Sequence, residues 1–364
     1  MTRPRITWHL LAVFMMLSLY PLSASGIEWK GQDWNVNLNG AFRVSYNSDD
    51  IGTEGRANST PDKTSNNYLS GNVSHIQLTG RRTLSMGFEG IFKTEWGLDP
   101  TDTGDGNSFR DLEQYLGLDS RFGTLRAGTI VTPYMQTGIT MDPFQRDALA
   151  ARFFPEIQSG LHSQTGKGRG RSTNTIRFDS PVSSRGIAAQ IFYGLDETPD
   201  NDNSFGTGLS YNSRYLSLFA QWYDNGEPGK DEAYKIGGEI KAGDVSLFGQ
   251  YEFDEGLVSL ADNLSPLDTS EEDITAEDND THGADTWHAG LKYANDKVVL
   301  ITQYGQRQDS KNGLNQEDGL TGWLVGLGIY VDKYVYLYTG YARKDYNDTS
   351  DDDSRFTVGA ALRF

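Results

Sequence analysis

Between residues 147 and 177 the chain sets two carboxylates, Asp147 and Glu156, ahead of the cations Lys167, Arg169, Arg171 and Arg177. Held on facing walls of a narrow wet space, such groups create a transverse field that orients water and dipolar solutes and sets ion preference. On an open surface the same charges would only be solvated. A second constellation, His282, Asp285 and His288, could activate a serine or a water. It stands without support, because the chain has no G-x-S-x-G elbow, no H-E-x-x-H and no cysteine nucleophile. No cofactor motif is present, and "DNDTHGAD" (278–285) lacks the ligand spacing and closing Glu of an EF-hand, so no metal site is expected.

The first constellation needs walls. The chain has 364 residues, a formal net charge of −18, 41 glycines, 19 tyrosines and no cysteine. Nucleic acid is excluded as a partner, since phosphate binding needs clustered Lys and Arg. Disorder is excluded too, because acidic disordered chains are poor in aromatics and this one is 12% Phe, Trp and Tyr. The start has the form of a secretory signal peptide over 1–26. It has a basic "MTRPR", the apolar run "ITWHLLAVFMMLSLYPL" and small residues around a cleavage point near 24–26. The alternative is an N-terminal membrane anchor. The remaining 27–364 holds no stretch near the ~20 apolar residues of a spanning helix.

Period-2 alternation recurs from end to end. In "WNVNLNGAFRVSY" (34–46), Trp34, Val36, Leu38, Phe42, Val44 and Tyr46 oppose Asn35, Asn37, Asn39, Arg43 and Ser45. "GWLVGLGIYV" (322–331) sets Trp323, Val325, Leu327, Ile329 and Val331 against a glycine-rich face. Such patterns predict strands at 34–46, 73–81, 84–97, 111–119, 123–130, 173–180, 186–194 and 204–212. Others fall at 214–224, 233–241, 244–253, 284–294, 297–307, 320–330, 334–344 and 354–364, sixteen in all. Short polar turns alternate with long insertions, and the longest described by this spacing is 131–172. A connection of that length inside a compact domain is functional or disordered.

A β-sandwich would bury bulky aliphatics on both inner faces. Here the face opposite the apolar one carries Asn, Gln, Lys, Arg and Glu, which suits a water-filled lumen. The expected fold is therefore all-β, a 16-stranded antiparallel transmembrane β-barrel with short periplasmic turns and long extracellular loops. In it Arg43, Arg81 and Arg126 share the inward parity of their strands. Together with Asp147, Glu156, Lys167, Arg169, Arg171 and Arg177 they are the candidate pore-constriction residues. The acidic stretches 254–285 and 345–354 are expected to be solvated outer loops, or to bind divalent cations that bridge to anionic lipopolysaccharide.

"SRFGTLRAGTIVTPY" (120–134) resembles the strand that leads into the third loop of the Gram-negative general porins. "FPEIQSG" (154–160) resembles that loop's Pro-Glu stretch, "STNTIRFDSPV" (172–182) the strand after it, and Phe364 the family's ending. The resemblance implies an outer-membrane homotrimer that passes small hydrophilic solutes and ions by passive diffusion, with an inward-folded third loop at about 131–172 and segment 98–110 as a candidate trimer latch. It also implies contact with outer-membrane lipid and lipopolysaccharide, and a terminal Phe364 that signals to the barrel assembly machinery. Ile157-Gln158-Ser159, Thr129 and Arg152 stand where the family often has Phe-Gly-Gly, an arginine and an acid. These departures bear on the charge of the constriction. The competing readings are a barrel hydrolase, and a substrate-specific channel or adhesin that works through its acidic loops.

Overall fold

The computed structural model describes residues 26–51, 64–101, 109–152, 154–159, 165–166, 170–197, 203–226, 232–254, 284–309, 311, 319–347 and 352–364. The chain runs β1 (Ile27–Lys30), β2 (Trp34–Ile51), β3 (Thr64–Ser70), β4 (His75–Thr83), β5 (Glu89–Leu98), β6 (Phe109–Ser120) and β7 (Gly123–Val131). A helix, α1 (Pro133–Met141), and the short β8 (Thr165–Gly166) precede β9 (Arg171–Asp179). There follow β10 (Ile187–Gly194), β11 (Ser204–Asn212), β12 (Leu216–Asp224), β13 (Glu232–Ala242) and β14 (Val245–Asp254). The last are β15 (Thr286–Ala294), β16 (Val298–Arg307), β17 (Leu320–Tyr330), β18 (Val335–Tyr346) and β19 (Asp352–Arg363).

All neighbours are antiparallel except β8 on β9. β19 returns to pair with β2, from Ser354 opposite Asp50 to Arg363 opposite Ala41, so the sheet closes on itself. A closed barrel has no unpaired edge, and with the helix it is one of two ways to cross lipid with every backbone group bonded. β3 and β4 are one wall strand interrupted at residues 71–74, while β1 and β8 are short additions. The result is the expected closed barrel of 16 strands. The break was not visible in the pattern: alternation marked only 73–81, whereas β3 extends the pairing along the upper half of β2. At the break Asn72 adopts a left-handed φ of 48°, which Asn tolerates because its side chain bonds locally. That side chain also donates to the Tyr338 hydroxyl at 2.8 Å.

The alternation sorts the side chains by face. Leu247, Ile236 and Val358 point outward and are about half exposed, while Lys235, Gln250, Glu252 and Thr357 point inward and are buried. This is the reverse of a soluble sheet and fits lipid outside with polar groups within. Among the described residues no helix is long and apolar enough to cross a membrane, which says nothing of a barrel. The short turns hold themselves: Asn295 Oδ1 accepts from the backbone N–H of Lys297 and Val298, and Asp332 Oδ1 from Tyr334 and Val335. The chain end completes the wall. Phe364 and Gly40 exchange both backbone hydrogen bonds, and the Phe364 ring stacks on Phe42 with centroids 6.0 Å apart. The 1–25 part of the signal-peptide assignment lies outside the described residues.

Candidate functional site: the inner loop and the wall it faces

The insertion between β7 and β9 enters the barrel, and its sequence explains the path. Thr132 caps α1 by accepting from Met135 N–H at 3.2 Å, and Pro133 at the first position suits a residue whose N–H would have no helical partner. The helix lies over β10 to β14. There Tyr134 packs against Tyr223, and its hydroxyl donates to Glu252 Oε2 at 2.8 Å. Lys235 places its ammonium 3.9 Å from the Tyr134 ring centroid and donates to the Tyr134 carbonyl. A lysine with no exposed surface is tolerated here because ring, carbonyl and carboxylate surround it.

Beyond α1 the loop reaches the far wall. Asp142 organises the bend, its carboxylate accepting from Phe144 N–H at 3.0 Å and Ala151 N–H at 2.9 Å, with Arg152 Nη1 3.8 Å away. Asp147 pairs with Arg43 of β2 at 2.9 Å. Glu156, at a left-handed φ of 64°, pairs with Arg307 of β16 at 3.1 Å and with Lys344 of β18. A non-glycine residue in that conformation costs on the order of 1 kcal/mol and persists where its surroundings fix it, as these two cations do. Ser159 N–H then reaches Glu252 Oε1 at 3.3 Å.

Shape as well as charge seats the loop. The glycines that made one face of β17 look empty are the places where it lands. A Cβ on Gly322 would come within 2.6 Å of Pro155 Cβ and 2.7 Å of Ile157 Cγ2, and one on Gly326 would overlap the Phe144 ring. Phe144, Leu149 and Phe154 thereby join an apolar cluster with Leu324, Tyr336 and Tyr338. Ile157, Gln158 and Ser159, which depart from the general-porin pattern, are thus packing and anchoring residues. Ile157 has no exposed surface, and Gln158 donates to the Gly138 carbonyl at 3.0 Å. Arg152, the third departure, bonds within the loop, to Asp142 and the Gln145 carbonyl.

Opposite the seated face stands a basic wall. Lys93 of β5 lies 2.6 Å from both Glu95 and Glu113. Arg171, at the start of β9, interacts electrostatically with Glu95, Glu113, Arg146 and Arg110. Arg146 leaves the loop on this side, donating to His75 Nδ1 at 2.9 Å with Glu95 at 3.9 Å, and keeps a partly exposed guanidinium. Lower on the same wall Arg126 and Arg177 share Asp179 at 2.9 and 2.6 Å, and Arg177 also donates to the Val131 carbonyl. Arg81 sits at the short-turn end, half exposed, with Glu89 and Asp119. Lys167 and Arg169 lie outside the described residues.

The predicted residues therefore fall into three groups. Arg126, Arg171 and Arg177 share one wall; Arg43 and Asp147 form a pair farther round the barrel, on β2 beside β4; Glu156 and Arg81 stand apart. Sequence reasoning missed Arg146, Lys93, Glu95, Glu113, Lys235, Glu252, Arg307 and Lys344. For those on strands the signal was a charge at inward parity, as at Lys93 and Glu95; Arg146 in the loop had none. Of the histidines, His75 is held by Arg146 and His288 lies 2.8 Å from the Gln303 amide; His162 and His282 fall outside the described residues. Among the described residues no three metal-ligating side chains come together.

Burial sets the protonation of the loop acids. It pushes Asp142 up to about 6, against the pull of Arg152 and the two backbone donors, and it also raises Asp147 despite Arg43. Ionised Asp142 is then less favourable in the seated loop than in the unfolded chain. That cost is full above about 6, fades as pH falls, and is gone below the ordinary 3.8. The thermal midpoint of the wild type should therefore rise relative to that of Asp142→Asn as pH falls from about 7 to about 4. A constant difference across that range would show that Asp142 is not penalised by burial.

The Gram-negative porin family model matches residues 11–360. A curated relative, major outer membrane protein P.IB of Neisseria gonorrhoeae, is 28% identical over 173 residues, covering 45% of this chain and 46% of that protein. The match thus spans about half the length of the curated relatives. Among solved structures, an anion-selective porin from Comamonas acidovorans aligns with a TM-score of 0.69 at 16% identity, over 91% of this chain and all of that one (100%). The trimer form of OmpT, an outer membrane protein of Vibrio cholerae, aligns with a TM-score of 0.62 at 14% identity, over 92% of this chain and 100% of that one. At such identities the likeness shows the fold alone, while the family match spans nearly the whole chain. The chain belongs to the Gram-negative porin family and is a β-barrel of the outer membrane.

Proposed function

We propose that the barrel is a water-filled channel for passive diffusion of small hydrophilic solutes and ions, with its narrowest zone between the seated inner loop and the wall β5–β6–β7–β9. The observation that carries this reading is the asymmetry of charge across the loop. Asp142, Asp147 and Glu156 are buried or paired, while Arg146 remains partly exposed beside Lys93 and Arg171. Glu95 and Glu113 offset part of that charge. The balance favours anions at the constriction, against the acidic outer loops, whose residues 255–283 lie outside the described part. The work proposed is passage, with no catalytic step.

A homotrimer is the assembly proposed, in keeping with the trimer form of the Vibrio structure. Proposed contacts are outer-membrane lipid, lipopolysaccharide and, through Phe364, the barrel assembly machinery. The test is the purified protein in a planar bilayer: it should insert in uniform, ohmic current steps. A protein that inserts and conducts nothing would remove the channel reading.

A further inference from the structure

The barrel closes where its two ends meet, and there the inner loop crosses from one end to the other. Asp147 and Ala148 are consecutive. Asp147 is held by Arg43 of β2 at 2.9 Å, and the Ala148 carbonyl accepts from Arg355 Nη1 of β19 at 3.0 Å. β2 and β19 are the strands of the seam. Arg355 also crosses that seam itself, as a fork: Nε to Asp49 Oδ1 at 2.8 Å and Nη2 to Asp49 Oδ2 at 2.6 Å. Its guanidinium lies 4.6 Å from the Phe154 ring centroid, again in the loop, and 5.8 Å from Tyr68 of β3, whose hydroxyl reaches Asp49 at 3.4 Å. The side chain is 7% exposed.

We propose that the tip of the inner loop is a staple across the seam, and that Arg355 is the positioning residue through which barrel closure sets the constriction. The reasoning rests on chain separation. Arg355 and Asp49 are 306 residues apart, and bringing such distant segments together carries a large closure entropy. A planar fork with three bonded nitrogens fixes distance and angle at once, which a lysine cannot do. The buried Thr357–Asn47 bond at 2.9 Å, two register positions along and on the same face, ties the seam directly with no bond to the described part of the loop. Arg355 alone among these seam ties contacts both strands and the loop tip. Seating the loop therefore strengthens the seam, and a closed seam holds the loop at a set distance from the basic wall.

The test compares Arg355→Ala, Arg355→Lys, Asp147→Asn and the Arg355→Ala/Asp147→Asn double variant, as full-length protein in detergent and in bilayers. The two altered residues share no bond, so independent roles would make their effects on the thermal midpoint add. The staple predicts that each single change lowers the midpoint by several degrees and that the double adds little more. Arg355→Lys should restore much of the midpoint while the conductance step stays different from that of the wild type. Additive midpoints, or a wild-type conductance in Arg355→Ala, would overturn the proposal. If Arg355→Ala does not assemble, an unchanged conductance in Asp147→Asn would do so. The conductance arm rests on the channel reading; a wild type that inserts without conducting would sink that reading and leave the midpoint arm to decide the staple.

Discussion

Glu156→Gln is expected to loosen the inner loop from β16 and β18 and to lower stability by about 3 kcal/mol. The carboxylate stands between Arg307 and Lys344, whose side chains are both nearly buried. Neutralising an acid of unchanged size leaves two cations in a poorly solvated place, which costs more than the pair ever contributed. Lys344 keeps Asp353 at 3.5 Å, so the loss stays near the low end for a broken buried pair. The left-handed backbone at 156 also loses the pairings that fix it. A urea titration of the folded protein should show the lowered midpoint. Single-channel records should show noisier steps, because the loop is no longer held at one distance from its own wall. A Glu156→Gln protein with the wild-type midpoint and quiet wild-type steps would mean that the ion pairs do not hold the loop.

Gly326→Leu should push the loop off the wall and into the lumen. β17 cannot yield, since Gly326 is paired with Ile301 on one side and Gly340 on the other. A side chain at 326 overlaps the Phe144 ring, so the ring and the loop backbone move instead. Overpacking of this kind costs roughly 1–3 kcal/mol. Here its larger consequence is geometric, a narrower pore and a smaller conductance step. Pairing it with Phe144→Ala, which alone would cost about 3–5 kcal/mol, exchanges the volumes across the contact. The double variant should recover both the midpoint and the step relative to Gly326→Leu. If the two losses simply add, Phe144 is not seated on Gly326.

The two variants also mark what the sequence discloses. The strands were legible because lipid and lumen impose opposite demands on alternate residues, and "FTVGAALRF" at the end alternates as plainly as "WNVNLNGAF" near the start. The inner loop was legible from its length. Its destination was not, because the residues that receive it lie far off in the chain. Arg43 is 104 residues from Asp147, Arg307 is 151 from Glu156, and Lys344 is 188 from the same carboxylate. Period-2 parity tells which face a charge occupies but not which of many strands stands opposite. For the same reason Asp147 and Glu156 looked like bare pore acids, when each has a cation of its own. The glycine-rich face of β17 was visible as a pattern, and only the Phe144 and Pro155–Ile157 contacts give its reason. The break between β3 and β4 left no trace in the alternation, since Asn72 sits where a polar inward residue would be expected anyway.

The central claim is that seated, neutralised loop acids leave the Arg146, Lys93 and Arg171 side of the constriction to set ion preference. The reversal potential of the channel in a potassium chloride gradient tests it most directly. The wild type should reverse at a potential of the sign that chloride carries, and Arg146→Glu combined with Arg171→Glu should move the reversal toward the potassium side. A cation-selective wild type whose reversal potential does not move in the double variant would contradict the account.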